Sequence, residues 1–108
     1  TYICSDSELS DPGSFGFSVE KNGEVIECFL IKNDGQYFAY MNACPHTGSP
    51  LDWREHQFLD LDGSHIQCAV HDARFVIETG KCVVGPCHGE SLKRLDIEIR
   101  KSGIYLQG

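Results

Sequence analysis

The chain contains no apolar run approaching the roughly 20 residues that a membrane-spanning helix needs, so no span is expected. Its opening residues, Thr1-Tyr2-Ile3-Cys4-Ser5-Asp6, lack both a basic region and an apolar stretch, so no secretory leader is read there. Basic residues are in deficit: 9 Lys and Arg stand against 16 Asp and Glu, a formal net charge of −7. A phosphate backbone would repel that balance, which argues against nucleic acid as a partner. The same charge suits a basic docking patch on another protein, and equally it serves solubility alone. There are no internal repeats, no low-complexity stretch and no linker. At 108 residues the sequence reads as one domain with a modest core. Its 41% apolar and 23% charged content is that of a soluble globular protein.

A disulfide framework is also missing, although 6 Cys invites one. Cys44 and Cys68 each have a His close in sequence. The other four, Cys4, Cys28, Cys82 and Cys87, show no small-scaffold pattern. Cys28 and Cys82 sit in apolar runs and read as buried thiols. A reducing, cytoplasmic setting is therefore expected.

What is present is two short boxes, Cys44-Pro45-His46-Thr47-Gly48 and Cys68-Ala69-Val70-His71, separated by residues 47–67. Each offers one thiolate and one imidazole. Such a set suits zinc, or a [2Fe–2S] cluster in which two His replace two Cys on one iron. Pro45 stiffens the first box, and Gly48 lets backbone approach a metal site closely. The sulfides of a cluster need N–H donors that such a loop can supply, whereas a lone zinc does not.

The rest of the chain reads as β. Ser5-Asp6-Ser7-Glu8 is a capping-box pattern opening one short helical turn. Phe15 to Val19 and Val25 to Ile31 flank Asn22-Gly23, a hairpin signal. Asn33-Asp34-Gly35 marks the next turn, and Tyr37 to Met41 a strand leading towards Cys44. Asp60 to Ser64 reads as a turn, His65 to Cys68 as a strand, and Phe75 to Glu78 with Lys81 to Val84 as a hairpin about Thr79-Gly80. Leu95 to Arg100 alternates apolar and charged residues, the mark of one half-buried strand. Lys101-Ser102-Gly103 turns into Ile104 to Leu106. Many short strands with frequent turns predict an antiparallel barrel or sandwich.

The boxes resemble those of small Rieske-type ferredoxins. Cys44-Pro45-His46-Thr47-Gly48-Ser49-Pro50-Leu51 is similar to Cys-x-His-x-Gly-x-x-Leu, and Cys68-Ala69-Val70-His71 to Cys-x-x-His. Phe75, Thr79-Gly80 and Gly85-Pro86 resemble the aromatic strand, Gly turn and proline loop that follow in that family. The resemblance implies an all-β Rieske fold: antiparallel sheets forming an incomplete barrel base, with a small inserted cluster-binding subdomain. The single domain, 1–108, would divide into a cluster-binding part of about 43–88 and a base of 1–42 and 89–108. It implies one [2Fe–2S] cluster, with Cys44 and Cys68 on one iron and His46 and His71 on the other. Gly48, Leu51, Phe75 and Pro86 would shield it.

The function implied is a one-electron carrier, not an enzyme, taking electrons from a reductase and passing them to an oxygenase. A small Rieske subunit of a larger, nitrite-reductase-like enzyme is the alternative, and a zinc-binding interaction module a third. High-potential relatives join an extra Cys in each box by a disulfide; here those places hold Ser49 and Val70. Their Ser and Tyr hydroxyls bond to sulfur; here Ala73 and Phe75 carry none. The potential is therefore expected in the lower half of the roughly −150 to +300 mV Rieske range.

The stretch between the boxes is longer than is usual in such ferredoxins, with an extra loop expected at Trp53-Arg54-Glu55-His56-Gln57. His56, His65 and His88 read as solvated surface residues, Trp53 as a packing residue, and Cys87 as no further ligand. Asp52, Glu55, Asp60 and Asp62 read as either an acidic docking rim or a plain solvated loop. Metal analysis separates the chemistries. The purified protein should be red-brown, with iron and acid-labile sulfide in about equal amounts. A colourless zinc protein would refute the cluster.

Overall fold

The computed structural model describes residues 2–43, 45, 51, 56–68, 73–85 and 88–107. Among them run β1 (Tyr2–Ser5), β2 (Gly13–Lys21), β3 (Glu24–Asn33), β4 (Gln36–Met41), β5 (His65–Gln67), β6 (Arg74–Val76), β7 (Cys82–Val84), β8 (Arg94–Leu95), β9 (Ile97–Arg100) and β10 (Gly103–Leu106). A single 3-10 turn, Asp6–Glu8, follows β1. Ser5 and Glu8 form the expected capping box there, with the Ser5 N–H donating to Glu8 Oε2 at 2.7 Å.

Two-residue turns create the central sheet. Asn22 and Gly23 have φ of 53° and 81°, and Asp34 and Gly35 of 54° and 77°. Positive φ at both positions gives a turn whose twist matches that of the flanking strands. Hence β2 pairs β3 from Lys21↔Glu24, and β3 pairs β4 from Asn33↔Gln36. The Asp11 carboxylate braces the second turn, accepting from the N–H groups of Asp34 and Gly35, each at 2.8 Å.

Three antiparallel sheets result, in the orders β1-β10-β9, β2-β3-β4-β8 and β5-β6-β7. The central sheet is buried on both faces. Phe29, Ile31, Phe38 and Tyr40 project into one apolar cluster, with Phe58, Ile66, Phe75 and Ile77. Leu30 and Ala39 project into the other, with Ile3, Cys4 and Ile104. This explains why Cys28 to Ile31 is continuously apolar rather than alternating.

Leu95 to Arg100 differs from expectation. It is two strands in different sheets: Leu95 pairs with Ala39, while Ile97 pairs with Leu106. The break falls at Asp96, whose carbonyl accepts the Gln107 N–H at 2.9 Å. Leu95 and Ile97 still pack on the same cluster, so the alternation survives the change of sheet. Ile99, by contrast, is 53% exposed. The chain thus joins two sheets into one base. β1 was not anticipated, because it exists through pairing with β10 at the opposite end of the chain. In the last turn Lys101 and Ser102 take the positive φ values, 46° and 70°, and Gly103 already belongs to β10.

No disulfide joins the four described cysteines. Burial pushes the Cys4 thiol up to about 11, with Glu8 and Asp6 adding to it. Burial also pushes Cys28 up to about 11, with a smaller contribution from Glu27. In the unfolded chain both thiols return to their ordinary value of 9.0. As pH rises the unfolded state therefore loses these protons first, and unfolding is favoured. The contribution is complete below the unfolded value and declines between about pH 9 and about pH 11. Urea midpoints measured across that window should fall, and the fall should be shallower in a Cys4→Ala/Cys28→Ala variant. An unchanged slope in that variant would contradict the assignment.

Candidate metal centre

The small sheet β5-β6-β7 carries the second box at one end. β5 runs outward to Cys68, and β6 returns from Ala73, the Cys68 N–H donating to the Ala73 carbonyl at 2.8 Å. That bond holds Cys68 and Ala73 as neighbours where β5 ends and β6 begins. Cys68 is wholly buried, in the same apolar cluster as Leu51, Ala73, Phe75 and Cys82.

The small sheet is fastened to the base at its other end. The Tyr40 hydroxyl donates to the Ile77 carbonyl. Burial raises the Tyr40 phenol to about 12; Arg94 draws it down and Glu78 pushes it up to lesser extents. The Gly80 turn then packs directly on that ring, since a Cβ there would lie 2.8 Å from Tyr40 Cε1. This is the Gly turn read after Phe75. Phe58 adds a second fastening, stacked on Phe29 with ring centroids 4.4 Å apart.

Beyond β7 the chain comes close against Ala73. Gly85 has φ of 104°, and a Cβ on it would lie 2.9 Å from Ala73 Cα. A side chain there would separate the two segments. The His88 N–H donates to the Gly85 carbonyl at 3.2 Å, closing the turn. On the approach to the first box, Asn42 Oδ1 accepts the Leu51 N–H at 2.7 Å, and Leu51 is fully buried.

Of the predicted site residues, Cys68, Leu51 and Phe75 are brought together in one core. Cys44, His46, Gly48, His71 and Pro86 lie outside the described residues, as do Ser49, Asp52 to Glu55, Val70 and Cys87. Among the described residues no three His, Cys, Asp or Glu converge on a metal position.

His56 departs from its surface reading. Its Nδ1 accepts the Gly16 N–H at 2.8 Å, and its ring stacks on Phe15 with centroids 4.6 Å apart. Ser14 Oγ donates to the His56 carbonyl and accepts the Phe58 N–H at 3.2 Å. His56 therefore pins the far end of the inter-box segment to β2. Asp60 is likewise occupied: its Oδ1 accepts from Ser64 N at 3.0 Å and His65 N at 3.2 Å, with its side chain only 7% exposed. It caps its own turn rather than contributing to an acidic rim. Asp62 is exposed. His65 is partly exposed, and His88 is exposed as read.

A family model described as the Rieske [2Fe-2S] domain matches residues 1–99. The chain belongs to the Rieske domain family. Among its relatives, the 3-phenylpropionate/cinnamic acid dioxygenase ferredoxin subunit of Photorhabdus laumondii is 27% identical over 105 residues, 97% of this chain and 90% of that one. The biphenyl dioxygenase ferredoxin subunit of Pseudomonas sp. strain KKS102 is 30% identical over 99 residues, 92% and 83% of the two chains. The solved ferredoxin of carbazole 1,9a-dioxygenase from Nocardioides aromaticivorans IC177 superposes with a TM-score of 0.71 at 19% identity, covering 98% of this chain and 96% of that one. At that identity the likeness concerns the fold.

A Rieske domain carries a [2Fe–2S] cluster on Cys and His ligands. The described surroundings suit that group: a sulfur donor without solvent exposure, an apolar lining, and a glycine turn close against the hairpin. Among the described residues no helix is long and apolar enough to cross a membrane. The closeness of Gly85 to Ala73 yields a test. Gly85→Val should lower iron bound per chain severalfold while the β-type circular dichroism persists. Full iron occupancy would show that the close approach is dispensable.

Proposed function

We propose that the chain is the ferredoxin component of a multicomponent oxygenase, receiving single electrons from a reductase and delivering them to the oxygenase. The observation that carries this reading is a match over nearly the whole chain to the ferredoxin subunits of two dioxygenases. One solved neighbour, with a TM-score of 0.75, is a carbazole 1,9a-dioxygenase ferredoxin in complex with its oxygenase. An electron carrier of this kind does no bond chemistry of its own.

In this proposal Cys44 and Cys68 supply the thiolates and His46 and His71 the imidazoles. Gly48, Leu51, Phe75 and Pro86 exclude water around them. The cluster-binding part spans about 43–88, on a base of 1–42 and 89–108. The cluster supplies one reversible electron. The chain's own task is to keep two sulfurs dry and two imidazoles fixed, so that little rearranges when charge arrives. Leu51, Ala73 and Phe75 do this at Cys68 by filling the space with carbon. Phe75 and Ala73 bring no hydroxyl to sulfur, which supports a potential in the lower Rieske range.

A cytoplasmic setting fits the absence of disulfides among the described cysteines. Partners that must exchange rapidly favour a small docking face, and the −7 charge supports a basic one on the partner. His46→Ala and His71→Ala should each abolish the Rieske-type EPR signal of the reduced protein. Retention of the wild-type signal in either variant would remove that His from the ligand set.

A further inference from the structure

We propose that Asn42 is a positioning residue for the first box, closing the segment that carries Cys44 and His46 so that these two ligands hold one spacing. The proposal rests on the ligand set given above.

Asn42 is itself held in place. Its N–H donates to the Glu27 carbonyl at 2.9 Å, and the preceding Met41 N–H donates to the Lys93 carbonyl at 2.9 Å. These bonds tie its backbone to the end of the central sheet. The Ala43 N–H turns back to the Met41 carbonyl at 3.0 Å, so the chain bends at this point. From that anchor the Asn42 amide oxygen reaches across nine positions to the Leu51 N–H at 2.7 Å.

Leu51 has no freedom to meet it elsewhere, because its side chain is wholly buried with Phe75 and Cys68. Asn42 and Leu51, on either side of the segment that carries Cys44 and His46, are thereby joined by a hydrogen bond as well as by the chain itself. Without that bond, the Leu51 N–H beside a buried side chain would lose its acceptor, an unfavourable state the loop would relieve by shifting. Metal ligands tolerate shifts of only about 0.5 Å before geometry suffers. The side chain suits the role. Asn is short enough to be rigid, and its amide oxygen is the acceptor. Ala offers no acceptor.

The test uses the full chain with its cluster, in the variants Asn42→Ala, Asn42→Asp and Ser14→Ala. Cluster loss to an iron chelator is followed by visible absorbance, alongside the EPR line shape, thermal unfolding, and hydrogen exchange of the peptide containing the Leu51 amide. Asn42→Ala should lose the cluster about tenfold faster than wild type, with broadened EPR features and faster exchange at Leu51. Asn42→Asp keeps an acceptor in place and should restore slow exchange and slow loss. Ser14→Ala removes the hydroxyl linking His56 and Phe58; it should lower the unfolding temperature and leave cluster loss unchanged.

Wild-type behaviour in Asn42→Ala would overturn the proposal. So would loss in Ser14→Ala as fast as in Asn42→Ala, or failure of Asn42→Asp to restore either rate. If Asn42→Ala assembles no cluster, exchange at Leu51 is compared in the two apoproteins: faster exchange in the variant supports the closure, and equal exchange overturns it. A wild-type protein without iron would be a separate failure, of the ligand set itself.

Discussion

The small sheet cannot stand alone, and the rest of the structure is arranged around that constraint. β5, β6 and β7 are three residues each, too little surface to enclose a core. They acquire one by laying Ile66, Phe75 and Ile77 against Phe29, Ile31 and Tyr40 of the central sheet. The central sheet must therefore be apolar on both faces, since its other side already packs against β1 and β10. Polar fastenings fix the docking angle that apolar contact leaves free: Tyr40 to Ile77, and His56 to Gly16.

This division of labour bears on how so small a part would hold the proposed ligands. Its strands provide direction, but precision comes from closures at the ends of loops. Cys68 is bonded to Ala73, Gly85 to His88, and Asn42 to Leu51. Each is a single hydrogen bond between described residues. A rigid set of this kind limits what must move when an electron arrives. Burial of Cys68 among carbon atoms keeps water from its sulfur.

Much of this was legible in the sequence, for reasons that differ from place to place. The two hairpin turns were readable because Asn22-Gly23 and Asp34-Gly35 state their φ values locally. Burial of Cys28 and Cys82 was readable from their apolar neighbours. Leu51 and Phe75 were marked by distance from the boxes in a family pattern, and both are in the core. The role of His56 was hidden, because its partners, Phe15 and Gly16, lie on a strand 40 residues away. Asn42 was hidden for a similar reason: its acceptor serves a backbone N–H, and any residue could stand at the donor end. The division of Leu95 to Arg100 between sheets left no trace, because alternation is indifferent to which neighbour a strand pairs with.

The placement of charge bears on how such a carrier meets its partners. Of the acidic residues between the boxes, Asp60 is committed to its own turn, while Asp62 is exposed beside Leu61, itself fully exposed. Near Gly85, the described exposed side chain on the small sheet is Val84, at 48%. An exposed apolar side chain and a net charge of −7 act on different steps of an encounter. Long-range charge raises the rate of encounter and is screened by salt. A small apolar contact sets alignment and still lets go, as a carrier must when it serves a donor and an acceptor in turn.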